Sequence, residues 1–130
     1  MNIAVQSLET QLDIAETHQL ATAWSGAVGH VLYGGARAEQ LEPFLDGGLQ
    51  GEIGRNLIDQ NKSRANAGFM ICGLWVTQGR KSLLVHVIGR QTRNRGCVGL
   101  VAEYWVRWNL VDGPPRIAEI RSRLGGGRDA

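Results

Sequence analysis

The sequence predicts an α+β fold in which helices come first and an antiparallel sheet follows. Up to residue 61, apolar residues recur at the three- and four-residue spacing of an amphipathic helix. From residue 67 onward, the chain is rich in β-branched and aromatic residues that alternate along strand-like segments. Short polar connections join these segments, so successive strands would pair in antiparallel order. The length of 130 residues and the hydrophobic fraction of 43% are sufficient for one globular core.

The first element is an apolar periodic segment over residues 8–32, which predicts one long helix or two shorter ones. Ser7 is a suitable N-cap, and Gly34 with Gly35 marks the end. Gly26 and Gly29 lie inside the segment and each costs a helix about 1 kcal/mol relative to alanine. We therefore expect the helix to approach a neighbour closely at these glycines, or to kink there.

Two shorter helical pieces follow before residue 61. Pro43 is well placed at the first turn of a piece around residues 42–45, which the Asp-Gly-Gly of residues 46–48 would end. The second piece is a short amphipathic helix. Its apolar face consists of Leu49, Ile53, Leu57 and Ile58.

Four strands are predicted, over residues 69–77, 82–88, 98–111 and 116–124. The last two are joined by the Asp-Gly-Pro-Pro of residues 112–115, a turn sequence. We assign residues 1–124 to a single domain. The glycine-rich residues 125–130 are expected to form a flexible tail.

Alternation divides the sheet into two faces, because successive side chains of a strand point to opposite sides. One face of the third strand is almost wholly apolar and would carry the helices: Ala102, Tyr104, Val106, Trp108 and Leu110. The opposite face has more apolar surface than a solvated face needs, which is typical of a sheet that packs against a second copy. We predict a homodimer through this outer face, with Leu84, His86, Ile88, Trp105 and Arg107 at the interface.

Charge is distributed unevenly along the chain. Residues 1–61 hold two basic and eight acidic side chains, a net charge of −6, whereas residues 62–130 hold twelve basic and four acidic, a net charge of +8. Either the acidic half packs on the basic half, or the basic half binds nucleic acid. A nucleic-acid site would use Trp75, Arg80, Lys81, Arg90, Arg93 and Arg95. The chain contains no RNA-recognition motif, so this alternative ranks last.

Several classes of protein are not expected from this sequence. No apolar run reaches the roughly 20 residues of a membrane helix, and the N-terminus lacks the features of a secretion signal. We therefore expect a cytoplasmic protein without a membrane partner, with Cys72 and Cys97 as reduced core thiols. The three histidines have no metal-ligand spacing and the glycines form no phosphate-binding motif, so neither a metal nor a cofactor is predicted.

The segment from Trp105 to Arg121 resembles the C-terminal part of proteins of the NTF2-like superfamily, also called SnoaL-like or ketosteroid-isomerase-like. The resemblance lies in its Asp-Gly turn and in the sequence Gly-Pro-Pro-Arg-Ile-Ala-Glu-Ile. The order of elements and the chain length are similar as well. The resemblance implies that the N-terminal helices lie in the concave face of a strongly curved antiparallel sheet. Such a cone-shaped α+β barrel encloses a pocket, and members commonly dimerise through the outer sheet face.

In such a fold, the inner sheet face and the helices would line the pocket. His18 is the candidate proton acceptor and Tyr104 the candidate donor to a developing oxyanion. Trp24, Tyr33 and Trp108 would contact a small apolar ligand that carries one or two polar groups. In the alternative interpretation, Tyr104 and Trp108 are core residues and His18 is exposed on its helix.

Two functions therefore remain open. One is a cofactor-independent acid–base enzyme of the isomerase, cyclase, dehydratase or epoxide hydrolase class, acting on a small apolar molecule. The other is a non-catalytic dimeric module for ligand binding or assembly. A deep pocket with an ionisable group of perturbed pKa would favour the enzyme. A pocket filled by Trp24, Tyr104 and Trp108 would favour the module.

Overall fold

The computed structural model describes residues 3–61, 67–93, 99–111 and 113–124, with side chains from residue 16 onward except at positions 93 and 124. The tail at residues 125–130, Cys97 and Arg95 therefore lie outside the described residues, as does Asp112 of the predicted turn. So does the side chain of Arg93.

The chain forms helices first and then a four-stranded antiparallel sheet, so the predicted α+β class is confirmed. The strand order is that of the sequence, and the sheet is open rather than closed into a barrel. The helical elements are α1 (Ile3–Leu32), two 3-10 helices (Ala38–Phe44 and Gly48–Gln50) and α2 (Glu52–Asn61). The strands are β1 (Ala67–Gln78), β2 (Ser82–Arg93), β3 (Leu100–Asn109) and β4 (Arg116–Leu124). Among the described residues, no helix has the length and apolar character needed to cross a membrane.

Helix α1 is one continuous helix of 30 residues, which decides between the two alternatives that its sequence allowed. Its glycines mark a close approach to the sheet. A Cβ atom added at Gly29 would overlap the ring of Phe69 on β1, whereas one at Gly26 would lie 3.2 Å from Ile71 Cδ1. The absence of a side chain at Gly29 therefore lets the helix axis come close to the sheet.

The two α-helices are tied together near their C-terminal ends. Asn61, the last residue of α2, donates its side-chain amide to the carbonyl oxygens of Val31 at 3.1 Å and Ala36 at 2.6 Å. Leu57 of α2 and Leu41 of the first 3-10 helix are both buried in the same core. The acceptor at Ala36 lies just beyond α1, so this contact also fixes where the chain leaves the helix.

The inner face of the sheet carries the core, as the alternation predicted. Seven of its side chains have no exposed surface: Leu83, Val85, Val87, Ala102, Tyr104, Val106 and Trp108. Strand β2 is longer than predicted, because Gly89 lies within it rather than after it. A side chain at Gly89 would overlap Met70 O and the Phe69 ring, so the glycine permits close packing instead of ending the strand.

A β-bulge interrupts β1 between Ile71 and Gly73 and leaves Cys72 without a partner on β2. The Cys72 side chain is exposed, so the prediction of a core thiol is wrong at this position. The bulge also shifts the alternation of the residues that follow. Trp75 consequently pairs with His86 and lies on the outer face of the sheet.

Candidate functional site

Tyr104, the candidate hydrogen-bond donor to an oxyanion, is fully buried and is hydrogen-bonded to the backbone of α1. Its hydroxyl donates to the carbonyl oxygen of Ser25 at 2.6 Å and accepts from the Gly29 N–H at 3.0 Å. An α-helix normally joins these two backbone groups to each other, since they are four residues apart. The hydroxyl therefore participates in the hydrogen-bond ladder of the helix.

The ionisation of Tyr104 follows from this environment. Burial raises the pKa of its hydroxyl above the usual value of 10.0, against the smaller effect of the Gly29 N–H, which lowers it. Electrostatic interaction with the nearby Tyr33 raises the pKa further. Tyr104 is thus a neutral structural donor at physiological pH.

Trp108 is anchored to the same turn of α1. Its indole Nε1–H donates to Ser25 Oγ at 2.6 Å, and Ser25 Oγ in turn donates to the carbonyl oxygen of Ala21 at 2.7 Å. All the atoms involved are buried. Ser25 was not singled out by the sequence analysis, although a hydroxyl on the apolar face of a helix is a signal for a buried acceptor.

Tyr33 fills the space beside Tyr104. Its ring centroid lies 6.1 Å from that of Tyr104 and 5.7 Å from that of Phe69. The Tyr33 hydroxyl is 3.1 Å from the carbonyl oxygens of Glu103 and Arg123, and its own carbonyl oxygen accepts from Gln91 Nε2 at 2.8 Å. The described residues provide no partner for the buried Gln91 Oε1.

Trp24, which is partly buried against the core, contacts the ring of Phe44. The rings of Trp24 and Phe44 are 4.6 Å apart, and Phe44 contacts Trp108 in an edge-on arrangement at 5.6 Å. The structure thus brings Tyr33 and Tyr104 into ring contact and joins Trp24 and Trp108 through Phe44. Phe44 and Phe69, which the sequence analysis left out of the pocket, pack among the candidate residues.

His18 has a different environment from Tyr104. It is partly exposed, and its Nδ1 lies 3.3 Å from Gln78 Nε2 at the end of β1. It lies seven positions before Ser25 on α1, a rise of about 10 Å, and the Ser25 carbonyl oxygen is the group to which Tyr104 donates its hydrogen bond. The candidate base and the candidate donor therefore have separate partners.

The outer face of the sheet carries a row of three aromatic side chains and one arginine that crosses all four strands. Register places Trp75, His86, Trp105 and Arg121 directly opposite one another, and we name these four residues the aromatic row. The rings of His86 and Trp105 are parallel within 4° at a centroid distance of 4.7 Å. Trp75 lies 5.4 Å from His86 and keeps 54% of its surface exposed.

Two further rows flank the aromatic row, two residues away on either side. The Glu103 row consists of Gly73, Ile88, Glu103 and Arg123, and the Arg107 row of Thr77, Leu84, Arg107 and Glu119. All five residues predicted for the outer-face interface lie in these three rows. Register, which the sequence analysis did not derive, adds Trp75, Glu119, Arg121 and Arg123.

Ion pairs connect the three rows. Glu103 Oε2 lies 2.8 Å from His86 Nε2, and its second oxygen is 4.0 Å from Arg123. Glu119 pairs with Arg107 at 3.4 Å and with Arg121 at 3.0 Å. The hydrogen bond from Arg121 lowers the pKa of the Glu119 carboxyl. Each of these two carboxylates thus has at least one arginine of its own chain within 4.0 Å.

A groove of about 530 Å³ lies over β2, β3 and β4 on this outer face. Its lining is mixed in character and consists of Leu84, Trp105, Arg107, Glu119, Arg121, Ser122 and Arg123. The exposed apolar side chains Met70 and Leu84 add hydrophobic surface to the sheet. A mixed apolar and charged surface of this kind is typical of contacts with a macromolecular partner.

No group of three or more His, Cys, Asp or Glu side chains that could hold a metal ion occurs in the described part of the chain. Of the residues proposed for nucleic-acid binding, Arg80, Lys81 and Arg90 are exposed. Comparison of the sequence with protein-family models and with curated proteins, and of the structure with solved structures, found no match.

Proposed function

We propose that this protein is a non-catalytic assembly module of NTF2-like type that acts as a homodimer, joined through the outer face of its sheet. The order of elements and the helices on the inner sheet face support the NTF2-like assignment. A sheet strongly curved around the helices, as in the cone-shaped members of that superfamily, is part of the proposal.

The observation that carries the proposal is the pairing of the Tyr104 hydroxyl with Ser25 O and the Gly29 N–H. A tyrosine that stabilises an oxyanion must present its hydroxyl to a substrate. Here both the donor and the acceptor function of the hydroxyl are used by the helix. The indole N–H of Trp108 is not free to contact a ligand either, because it donates to Ser25 Oγ.

The outer face, by contrast, presents unsatisfied apolar surface. Four strands of about ten residues give a face of roughly 19 by 34 Å, about 650 Å² in projection. This is close to the ~800 Å² that each partner of a standard protein interface buries. The exposed indole of Trp75 is of the kind enriched at interface centres, and the exposed Leu84 side chain adds apolar area.

A nucleic acid is a poorer partner for this face than a second protein surface. Glu103 and Glu119 lie on either side of the aromatic row, where a strand stacked on Trp105 would place its phosphates. Phosphate binding uses cations that are not already paired, whereas Arg107, Arg121 and Arg123 of this face each have Glu119 or Glu103 as a partner.

Analytical ultracentrifugation tests the proposal. We expect a mass of twice the 14.2 kDa chain at micromolar concentration. Leu84→Glu, which places a charge on the outer face, should yield a monomer. Val111→Glu is the matched control: Val111 is 42% exposed and Leu84 37%, but Val111 lies beyond the end of β3, so this variant should remain dimeric.

A monomeric wild-type protein at about 100 μM would contradict the proposed dimer. The enzyme alternative has its own test, a thermal-shift screen with small apolar epoxides, ketones and amines. A ligand-induced shift that Tyr104→Phe removes, without loss of the folded state, would restore the catalytic interpretation.

A further inference from the structure

The three rows of the outer face are complementary to themselves. We propose that the two-fold axis of the dimer runs across the strands along the aromatic row, so that Glu103 of each copy faces Arg107 of the other and Glu119 faces Arg123. This inference rests on the proposed homodimer and adds to it the orientation of the two copies.

The geometry follows from register. In a symmetric face-to-face dimer the two-fold axis lies in the plane between the sheets. An axis along the aromatic row keeps each strand over its own counterpart and exchanges the two flanking rows. Residues two positions before Trp105 on β3 then lie over residues two positions after it, which brings Glu103 over Arg107. On β4 the same operation brings Arg123 over Glu119.

The apolar members of the rows match under the same operation. Ile88 of the Glu103 row comes to lie over Leu84 of the Arg107 row, because both belong to β2. Trp75, His86 and Trp105 lie on the axis and meet their own copies. Arg121 also meets its copy, but it stands on the edge strand β4 with a largely exposed side chain, where solvent screens the repulsion.

A different in-plane axis gives a worse match. An axis along the strands, between β2 and β3, would keep the rows and exchange the strands. It would place Arg107 over Leu84 and Glu103 over Ile88. Each dimer would then set four charged groups against aliphatic side chains, where they lose water and gain no opposite charge from the second copy, which is unfavourable.

Charge balance favours the axis along the aromatic row as well. Within one copy, Glu119 is shared by Arg107 and Arg121, and Arg123 reaches Glu103 only at 4.0 Å. In the proposed dimer Arg107 gains Glu103 of the second copy, and Arg123 gains Glu119. Stacked sheets are rotated by about 30° relative to each other, so the pairs on β3, close to the centre, keep the best alignment.

Charge reversal with mixing tests the axis. Glu103→Arg alone sets arginine against arginine twice in the dimer, and Arg107→Glu alone sets glutamate against glutamate. Each variant alone should dimerise at least tenfold more weakly than the wild type. An equimolar mixture should form a heterodimer, because each of the four facing positions then has an opposite charge. Native mass spectrometry identifies this species by its mass.

The outcomes separate the two proposals. A monomeric wild type contradicts the dimer itself. If the wild type is dimeric, two results contradict the proposed axis. In one, both variants remain dimeric alone; in the other, they are monomeric both alone and in the mixture. Arg55→Glu on α2 is the control and should dimerise normally. Circular dichroism verifies folding, and the pair Glu119→Arg with Arg123→Glu repeats the test if a variant at 103 or 107 fails to fold.

Discussion

Ser25 joins three groups of the core through one residue of α1. Its hydroxyl accepts from Trp108 Nε1 and donates to Ala21 O, while its carbonyl oxygen accepts from Tyr104. Serine is a modest helix former, so its presence in the middle of a buried helix requires a reason. Here the reason is the indole N–H, which no apolar residue at position 25 could satisfy.

Removing this hydroxyl should therefore destabilise the protein. Ser25→Ala leaves a buried indole N–H without an acceptor, and such a group costs about 1–3 kcal/mol. Urea denaturation followed by tryptophan fluorescence measures the free energy of unfolding. Ser122→Ala, at an exposed position of β4, is the matched control and should change it by less than about 0.5 kcal/mol. Equal effects of the two substitutions would contradict the role of Ser25.

At the level of elements, the helices and strands were largely predictable because their apolar periods are clear. Alternation on β3 assigned Tyr104 and Trp108 to the inner face and Trp105 to the outer face. The same rule fails on β1. Counting by twos from the inward Phe69 places Trp75 on the inner face, but the bulge at Cys72 moves it to the outer face. A bulge depends on pairing with β2, which no period within β1 reveals.

The candidate site was less predictable than the fold for a related reason. Sequence alternation shows which way Tyr104 points but not whether the space before it is open or filled. That depends on Ser25, Phe44 and Phe69, which come from three different elements. The aromatic row was likewise hidden, since it needs the register of all four strands.

The packing of α1 on β1 predicts opposite effects for its two central glycines. Gly29→Ala would place a methyl group in the Phe69 ring, which is itself buried, and overpacking of this kind costs about 1–3 kcal/mol. Gly26→Ala meets only the end of the exposed Ile71 side chain at 3.2 Å. There the gain in helix propensity of about 1 kcal/mol should dominate.

The two glycine variants serve as each other's control, because both add one methyl group to the same helix within one turn. Thermal unfolding should give a lower melting temperature for Gly29→Ala than for the wild type. Gly26→Ala should melt at or above the wild-type temperature. The reverse order would show that α1 does not approach β1 as described.

For the whole molecule, the charge asymmetry of the sequence maps onto the architecture. The acidic half forms the helices and the basic half forms the sheet with its connections. Arg116 and Asp46 join the two at a distance of 3.9 Å, while Glu103 and Glu119 pair with cations of the sheet itself. Arg107, Arg121 and Arg123 of the basic half lie on the outer face, where the proposed dimer adds carboxylates of the second copy opposite Arg107 and Arg123.

The buried Tyr104 hydroxyl makes the free energy of unfolding dependent on pH in the alkaline range. Its pKa is raised in the folded protein, so above pH 10 the unfolded chain loses this proton while the folded chain keeps it. The stabilisation associated with the neutral hydroxyl is thus complete below pH 10 and is lost as the pH rises toward the folded-state pKa. Linkage sets the limiting slope at about 1.4 kcal/mol per pH unit for one proton.

Tyr104→Phe provides the measurement, because it removes this titration and retains the ring. The free energy of unfolding of the two proteins, measured at equal chain concentration, should differ by a constant amount between pH 7 and 9. From pH 10 upward, the wild type should lose its advantage over the variant along the slope given above. Groups that do not interact with Tyr104 are common to both proteins and contribute equally to both curves. Parallel curves up to pH 11.5 would mean that the Tyr104 hydroxyl is accessible to water, and with it the inner sheet face.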